Sequence, residues 1–381
     1  MIQPIPHLPI EHRGETDTRL YPGFEGVTAF TTAICRPSSE GDELRFRGVD
    51  IREIVGTYSF DSVWRLLVED DLGSGLLAEI SQASVSEAML SGMPPRVALQ
   101  QMLLEFGERH GMKPAAEMDP QVIRNDLASL TVAFNIGLGM RLNIATQRTP
   151  TSHAVVDEGS SVAEKLVLAW KGDANPTEVS RIDRFLATMA EHGTTASTFA
   201  ARVVASTGAN AAACVAAGLS AIGGPKHGGA TLDVISLLRS VTGEASSAQG
   251  IVEARLATRQ RLPGLGHRVY RQQDPRVPML KELASEIGSP LASAAVAYEA
   301  AAASVLAKRK ADRRLPVNAD LWLAVVLDGL GIPDEFMDTF LASSRIAGWS
   351  AHVFEHVSSR GKLMRPDDIY VGQDARTLLQ R

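Results

Sequence analysis

The chain has 381 residues, 45% hydrophobic and 22% charged, with a formal net charge of −6 at pH 7. That length can bury a substantial core, and the acidic balance leaves no basic footprint for nucleic acid, so an anionic ligand needs a local cluster of arginines. Two cysteines, Cys35 and Cys214, exclude a disulfide framework and a Cys-rich zinc site. No uninterrupted apolar run approaches the roughly 18 residues of a membrane helix. The polar start MIQPIPHLPIEHRGE has no signal-peptide core, and the expectation is a cytoplasmic protein.

In chain order, GVTAFTTAI and ELRFRG flank the turn-like SSEGD and are rich in β-branched, alternating residues, which predicts a minor N-terminal β-hairpin. Helix signals dominate afterwards. Val63, Leu66 and Leu67 recur at helical spacing, as do Phe336, Phe340 and Leu341. Asp119-Pro120, Asn175-Pro176, Asp274-Pro275 and Ser289-Pro290 each put a capping side chain before a proline suited to the first helical position. The small residues of ANAAACVAAGLSAIGG predict a closely packed helix without a broad polar face, buried in the subunit or against another. Residues 241–250 (VTGEASSAQG) read as a loop, and KRKADRR (308–314) as a basic patch that is a solvated face unless an anion lies nearby. No internal repeat is found.

Ionisable residues collect at glycine-rich turns and helix starts. GGPKHGGA (223–230) places His227 among glycines, at the head of a segment, HGGATLDVISLLRS, that reads as a helix. RLPGLGHRVYRQQDPR (261–276) holds His267, Arg268, Arg271 and Arg276, and EHGTTASTFAARV holds His192. Asp320 stands two residues after Asn318, an N-cap candidate. Arg345 lies in the apolar SSRIAGWSAH, and Arg365 precedes a proline. Each has a plainer reading. His227 suits a helix stop, Asp320 suits a helix N-terminus by its charge alone, and Arg345 suits an interhelical ion pair.

Taken together and in this order, GFEGVTAFTTAI…LRFRGVDI, EHGTTASTFAARV, GPKHGGA, GLGHRVYRQQDPR, NADLW and SRIAGWSAH…RP resemble the citrate synthase family in its shorter bacterial form, over nearly the whole chain. The resemblance implies an all-α, two-domain fold, with 1–221 and 323–381 as a large helical domain and 222–322 as a smaller inserted one. It also implies a homodimer. The implied activity is an acyltransferase condensation of acetyl-CoA with oxaloacetate and water to give citrate and CoA. Coenzyme A thioester is then a co-substrate, with no tightly bound cofactor and no metal. By the same resemblance Asp320 is the base, His227 donates to the thioester carbonyl oxygen, and His267 polarises the ketone. His192, Arg276, Arg345 and Arg365 bind the substrate carboxylates, Arg365 from a second subunit. Gln260, Arg261, Leu262, Pro263 and Gly264 form a loop that receives coenzyme A, and Arg271 meets a CoA phosphate, with Lys308–Arg314 a weaker candidate.

Chemistry supports these roles. A methyl group is weakly acidic, so the enolate must be stabilised as it forms. Guanidinium forks suit two carboxylates, and a neutral imidazole suits a helix start. A helix start also weakens a carboxylate base, so burial beside Leu321 and Trp322 has to counter it at Asp320. Departures from the family pattern fall at Lys226, at Ala319 and Leu321–Leu323 around Asp320, and at Gly92-Met93-Pro94-Pro95. Those near Asp320 leave open a 2-methylcitrate synthase that uses propionyl-CoA. A citryl-CoA lyase, a non-catalytic acyl-CoA or oxaloacetate sensor, and a metalloprotein are the remoter readings.

Overall fold

The computed structural model describes residues 21–38, 43–73, 75–76, 85, 92–241, 245–309 and 315–367. Strands β1 (Cys35–Pro37), β2 (Leu44–Phe46) and β3 (Val49–Asp50) form an antiparallel sheet in the order β1-β2-β3, with Cys35 opposite Phe46 and Arg45 opposite Asp50. The expected hairpin is therefore shorter on its first side and gains a third strand. Residues 27–34 are not strand, because the Ala33 N–H is satisfied by the Glu355 carboxylate at 2.9 Å instead of by a ladder partner. Most of SSEGD lies outside the described residues.

All other regular structure among the described residues is helical. The helices run α1 (Ile51–Ile54), α2 (Phe60–Glu69), α3 (Pro95–Arg109), α4 (Pro120–Ala145), α5 (His153–Asp157), α6 (Val162–Lys171), α7 (Pro176–Met189) and α8 (Ala196–Ser206). They continue as α9 (Ala211–Ile222), α10 (Ala230–Ser240), α11 (Ala245–Ala257), α12 (Val277–Ile287), α13 (Ala292–Arg309), α14 (Ala319–Gly329) and α15 (Met337–Ser358). The expected all-α class holds.

Asp119 and Asn175 cap α4 and α7 with a proline in the first turn, as their spacing predicts. The other two Asp/Ser-Pro pairs do not. Asp274 turns its carboxylate to Arg276 and to the Ala319 N–H, so α12 begins only at Val277. Ser289 donates its hydroxyl to the Val325 carbonyl at 2.8 Å, and α13 starts at Ala292. Helix α11 replaces most of the loop expected at 241–250, since Ala, Gln and Glu are good helix formers.

Helix α15 is the axis of one packing group. It is buried almost throughout and packs against α2, α4, α7, α8 and α9. The small residues of α9 are there for contact: a Cβ on Gly218 would meet the Trp349 ring of α15 at 2.7 Å. Helix α4 is long and apolar enough to cross a membrane by length and composition, yet 89% of its apolar window is buried inside the protein. It packs on α6 at Gly139, where a Cβ would stand 2.5 Å from the Leu166 carbonyl oxygen. A second group, α10 to α14, packs chiefly within itself. The groups meet where α7 faces α12, through ion pairs from Arg184 to Glu286 (2.6 Å) and Glu282 (3.3 Å).

Candidate active site

Five segments bring the candidate residues together. The turn after α9 carries His227, which sits before α10 and not within it, its N–H bonded to the Gly224 carbonyl. The 261–276 loop carries His267 and Arg276. Helix α14 presents Asp320 from its first turn, with Asn318 as N-cap accepting from the Asp320 N–H at 3.0 Å. Helix α15 supplies Arg345, and the turn before α8 supplies His192.

The loop and α14 are stitched to each other. Gly266 N–H donates to the Pro316 carbonyl, Asn318 N–H to the Gly264 carbonyl, and Asn318 Nδ2 to the Gly266 carbonyl. Gly264 adopts φ +75°, and a Cβ there would lie 2.8 Å from Leu321 Cβ, so glycine serves both the turn and the close approach. Asp274 completes the seam. Its Oδ1 accepts from Arg276 N and Nε, and its Oδ2 from Arg276 Nη2 (2.7 Å) and Ala319 N (3.0 Å).

Hydrogen bonds fix the role of the His267 imidazole. His267 Nδ1 faces the backbone N–H groups of Val269 and Tyr270, each at 3.0 Å, so it accepts and the neutral ring carries its proton on Nε2. Tyr270 stacks on His267 with centroids 4.6 Å apart, and its hydroxyl is 2.9 Å from His192 Nε2. Ser197 Oγ lies 2.8 Å from His227 Nε2. Burial is the first cause that lowers all three histidines. It takes His227 and His267 to about 4 and His192 well below its ordinary value, so all are neutral at pH 7. The charges of Arg276 and Arg345 push His192 the same way.

Asp320 moves oppositely. Burial raises it, the charges of Arg276 and Arg345 pull it back, and Asp274 adds to the rise. The net upward direction is what a carboxylate base needs. Arg345 is 3% exposed, donates Nε to the Met189 carbonyl at 3.1 Å, and has no partner at Nη1 among the described residues. Two guanidiniums, three neutral imidazoles and one strengthened carboxylate therefore share a single site. The combination can hold a dianion, donate hydrogen bonds to developing oxyanions and remove a proton. No group of three or more His, Cys, Asp or Glu suited to a metal occurs among the described residues.

The remaining candidates stand apart. Arg365 is exposed on the C-terminal segment, which the Met364 N–H ties to Ser206 Oγ. Gln260, Arg261 and Arg271 are exposed, whereas Leu262 and Gly264 are buried. The Pro263 and Gly264 carbonyls are already taken, by the Tyr298 hydroxyl and the Asn318 N–H. Of the basic patch, only Lys308 and Arg309 fall within the described residues, at the end of α13. Lys226 is exposed. Leu321 meets Gly264, while Trp322 packs under the Lys281 ammonium, 5.0 Å from its ring centroid. Sequence reasoning missed Ser197, Tyr270 and Glu191. Tyr270 lies inside a motif already singled out, but neither its spacing nor its type announces a hydroxyl aimed at His192.

Comparison with known proteins bears on the whole chain. The family model described as citrate synthase, C-terminal domain, matches residues 23–367. A provisionally named citrate synthase 2 of Mycobacterium tuberculosis is 38% identical over 358 residues, covering 93% of this chain and 94% of the relative. A 2-methylcitrate synthase of Shewanella oneidensis is 26% identical, covering 94% and 96%. Among solved structures, citrate synthase from Thermotoga maritima superposes with a TM-score of 0.80 at 24% identity, covering 94% of this chain and 98% of that one. A Thermoplasma acidophilum citrate synthase in ternary complex with carboxymethyl coenzyme A and oxaloacetate gives 0.83 at 20%, covering 95% and 98%. These likenesses reach from the first strands to the segment of Arg365, and the chain belongs to the citrate synthase family of condensing enzymes.

Proposed function

We propose that the protein condenses acetyl-CoA with oxaloacetate and then hydrolyses the citryl thioester to release citrate and CoA. The observation that carries this is the seam at which Asp274 grips both Arg276 and the Ala319 N–H beside the upshifted Asp320, next to the loop whose neutral His267 keeps its proton on Nε2. Arg276 and Arg345 receive the oxaloacetate carboxylates, with His192 beside them. Ser197 donates to His227 Nε2, which leaves the His227 Nδ1 proton for the thioester carbonyl oxygen. Asp320 takes a proton from the acyl methyl, and His227 stabilises the enol oxygen. The methyl carbon then bonds to the ketone carbon of oxaloacetate, whose oxygen takes the proton from His267 Nε2. Water cleaves the resulting thioester.

In this reading the two packing groups are the large and small domains, with the small one spanning about 222–322 and the rest of α14, which packs with it. Substrate binding draws them together and excludes water. The enzyme works as a homodimer, and Arg365 serves the second subunit's site. The exposed Gln260 and Arg261 of the 260–264 loop, together with Arg271, meet coenzyme A. A thiol-release assay with oxaloacetate and a series of acyl-CoAs tests the reading: acetyl-CoA gives the highest kcat/KM, and no thiol release with any of them refutes it. The likeness to the Shewanella oneidensis enzyme and the leucine after Asp320 favour a second reading, in which propionyl-CoA is the better substrate. One methylene is worth only about 1–3 kcal/mol of discrimination, so the same assay separates the two readings by their order.

A further inference from the structure

The two arginines of the site are neutralised in different ways. Arg276 spends Nε and Nη2 on Asp274, a bidentate pair at 3.0 and 2.7 Å. Arg345 has no such pair. Its Nε takes the Met189 carbonyl, two residues before Glu191, and its Nη1 is buried without a partner among the described residues. Glu191, packed against Gly348 one turn along α15, is the opposite charge that acts on it most strongly. Glu191 immediately precedes His192 and is completely buried, yet neither of its oxygens has a hydrogen-bond partner among the described residues. A buried carboxylate without hydrogen bonds is costly unless nearby positive charge compensates it.

The surroundings fit that purpose. On its far side, Glu191 Oε1 is 3.5 Å from His352 Nε2. His352 Nδ1 accepts from Arg202 Nη1 at 2.9 Å, so its proton lies on Nε2, facing Glu191. Arg202 is held in turn by Glu355 at 2.7 Å. Helix α15 makes room with Gly348: a Cβ there would sit 1.8 Å from Glu191 Oε2. Burial is the main influence lowering Arg345, to about 10, and Glu191 is the strongest influence opposing it.

We propose that Glu191 is a positioning residue, an internal counter-ion that holds the Arg345 charge in the empty site without occupying its donors, and that therefore opposes a substrate carboxylate once one binds Arg345. The inference rests on the reading of Arg345 as an oxaloacetate receptor. Its sign is distinctive: Glu191 stabilises the free protein at the expense of affinity. In Glu191→Gln, which keeps shape and removes charge, the free enzyme melts at a lower temperature. Oxaloacetate Kd, measured by calorimetry, falls about 3- to 10-fold, the scale of one charge pair screened by a water-like dielectric. KM for oxaloacetate falls with it and kcat does not rise.

A residue with a merely structural role lowers the melting temperature and leaves Kd unchanged or weaker, and either Kd result overturns the proposal. If the Gln variant does not fold, Glu191→Asp, whose carboxylate is drawn back by one methylene, serves instead. It tightens oxaloacetate by a smaller factor, and an unchanged or weaker Kd there also overturns the proposal. Wild type and Arg345→Ala are measured alongside. Failure of wild type to bind oxaloacetate, or undiminished binding by Arg345→Ala, removes the underlying reading. Normal behaviour in both with no tightening in the Glu191 variants removes only this inference.

Discussion

Asp320 is caught between two environments. The first turn of α14 and the nearby arginines favour its charged form, whereas burial favours the neutral form and is the larger influence. Asp320→Asn keeps the N-terminal turn of α14 and removes the base. Condensation then falls about 10²- to 10⁴-fold while oxaloacetate binding survives. Exchange of deuterium into the acyl methyl, followed with a non-reacting oxaloacetate analogue, reads that step alone. A variant that still exchanges at the wild-type rate makes another group the base. Tyr270→Phe is a subtler case. It retains the ring stacked on His267 and deletes the hydroxyl at His192, leaving a buried nitrogen without its partner. The expected loss is about 1–2 kcal/mol, seen as a rise in oxaloacetate KM of roughly 5- to 30-fold at little cost in kcat. A change confined to kcat contradicts that role.

Helix boundaries show what short-range chemistry can and cannot announce. Asp119 and Asn175 cap helices because nothing among the described residues competes for their side chains, and Asn318 caps with its Oδ1 while its Nδ2 goes to the Gly266 carbonyl. Asp274 carries the same local signal, but a guanidinium two residues on and the N–H of a helix start 45 positions away outbid it. Residues 27–34 have strand-like composition and lack a strand partner, a fact held by Glu355 on α15 and not by their neighbours in the chain. The candidate site was legible where chemistry is carried by residue type within a motif, as at His227, His267 and Arg276. It was not legible at Glu191, which reads locally as an ordinary acidic residue and gains meaning only from Gly348 and Arg345 packed over it. Interhelical contacts give a direct test. Gly139→Ala on α4 puts a methyl against the Leu166 carbonyl and Ala169 of α6, and backbone cannot step aside as a flexible side chain can. The expected cost is about 1–3 kcal/mol, measured as an earlier midpoint in urea. An unchanged midpoint shows that α4 and α6 can part without penalty.

For the molecule as a whole, the most pH-sensitive feature lies away from the site. Asp61 on α2 accepts from the Val162 N–H that begins α6, and Asp183 on α7 accepts from the Phe60 N–H that begins α2. Burial raises Asp61 to about 7, with Asp183 adding to the rise, and burial raises Asp183 to about 6. Their unfolded values are near 3.9. A carboxyl raised in the folded state holds its proton where the unfolded chain has lost it. This contribution to stability is full below about pH 4 and declines as pH rises to between 6 and 7. Asp61→Asn removes the larger part of that dependence. The variant's melting temperature, relative to wild type, therefore improves from pH 5 to pH 8, and parallel pH profiles for the two proteins contradict the assignment.

The seam at Asp274 has a mechanical consequence. One carboxylate grips both Arg276 and the first N–H of the helix that carries Asp320, while Asn318 fastens that helix to the His267 loop. His267, Arg276 and Asp320 are thus a single cast part, and swinging the two helical groups cannot alter the spacing within it. Only the gap to His192 and Arg345, mounted on the other group, is adjustable. A ligand whose two carboxylates reach Arg276 and Arg345 spans that gap and sets its width. Under the proposed function, oxaloacetate is expected to act as the gauge block of the machine: the length of the substrate itself, more than any hinge, would determine how far the halves close.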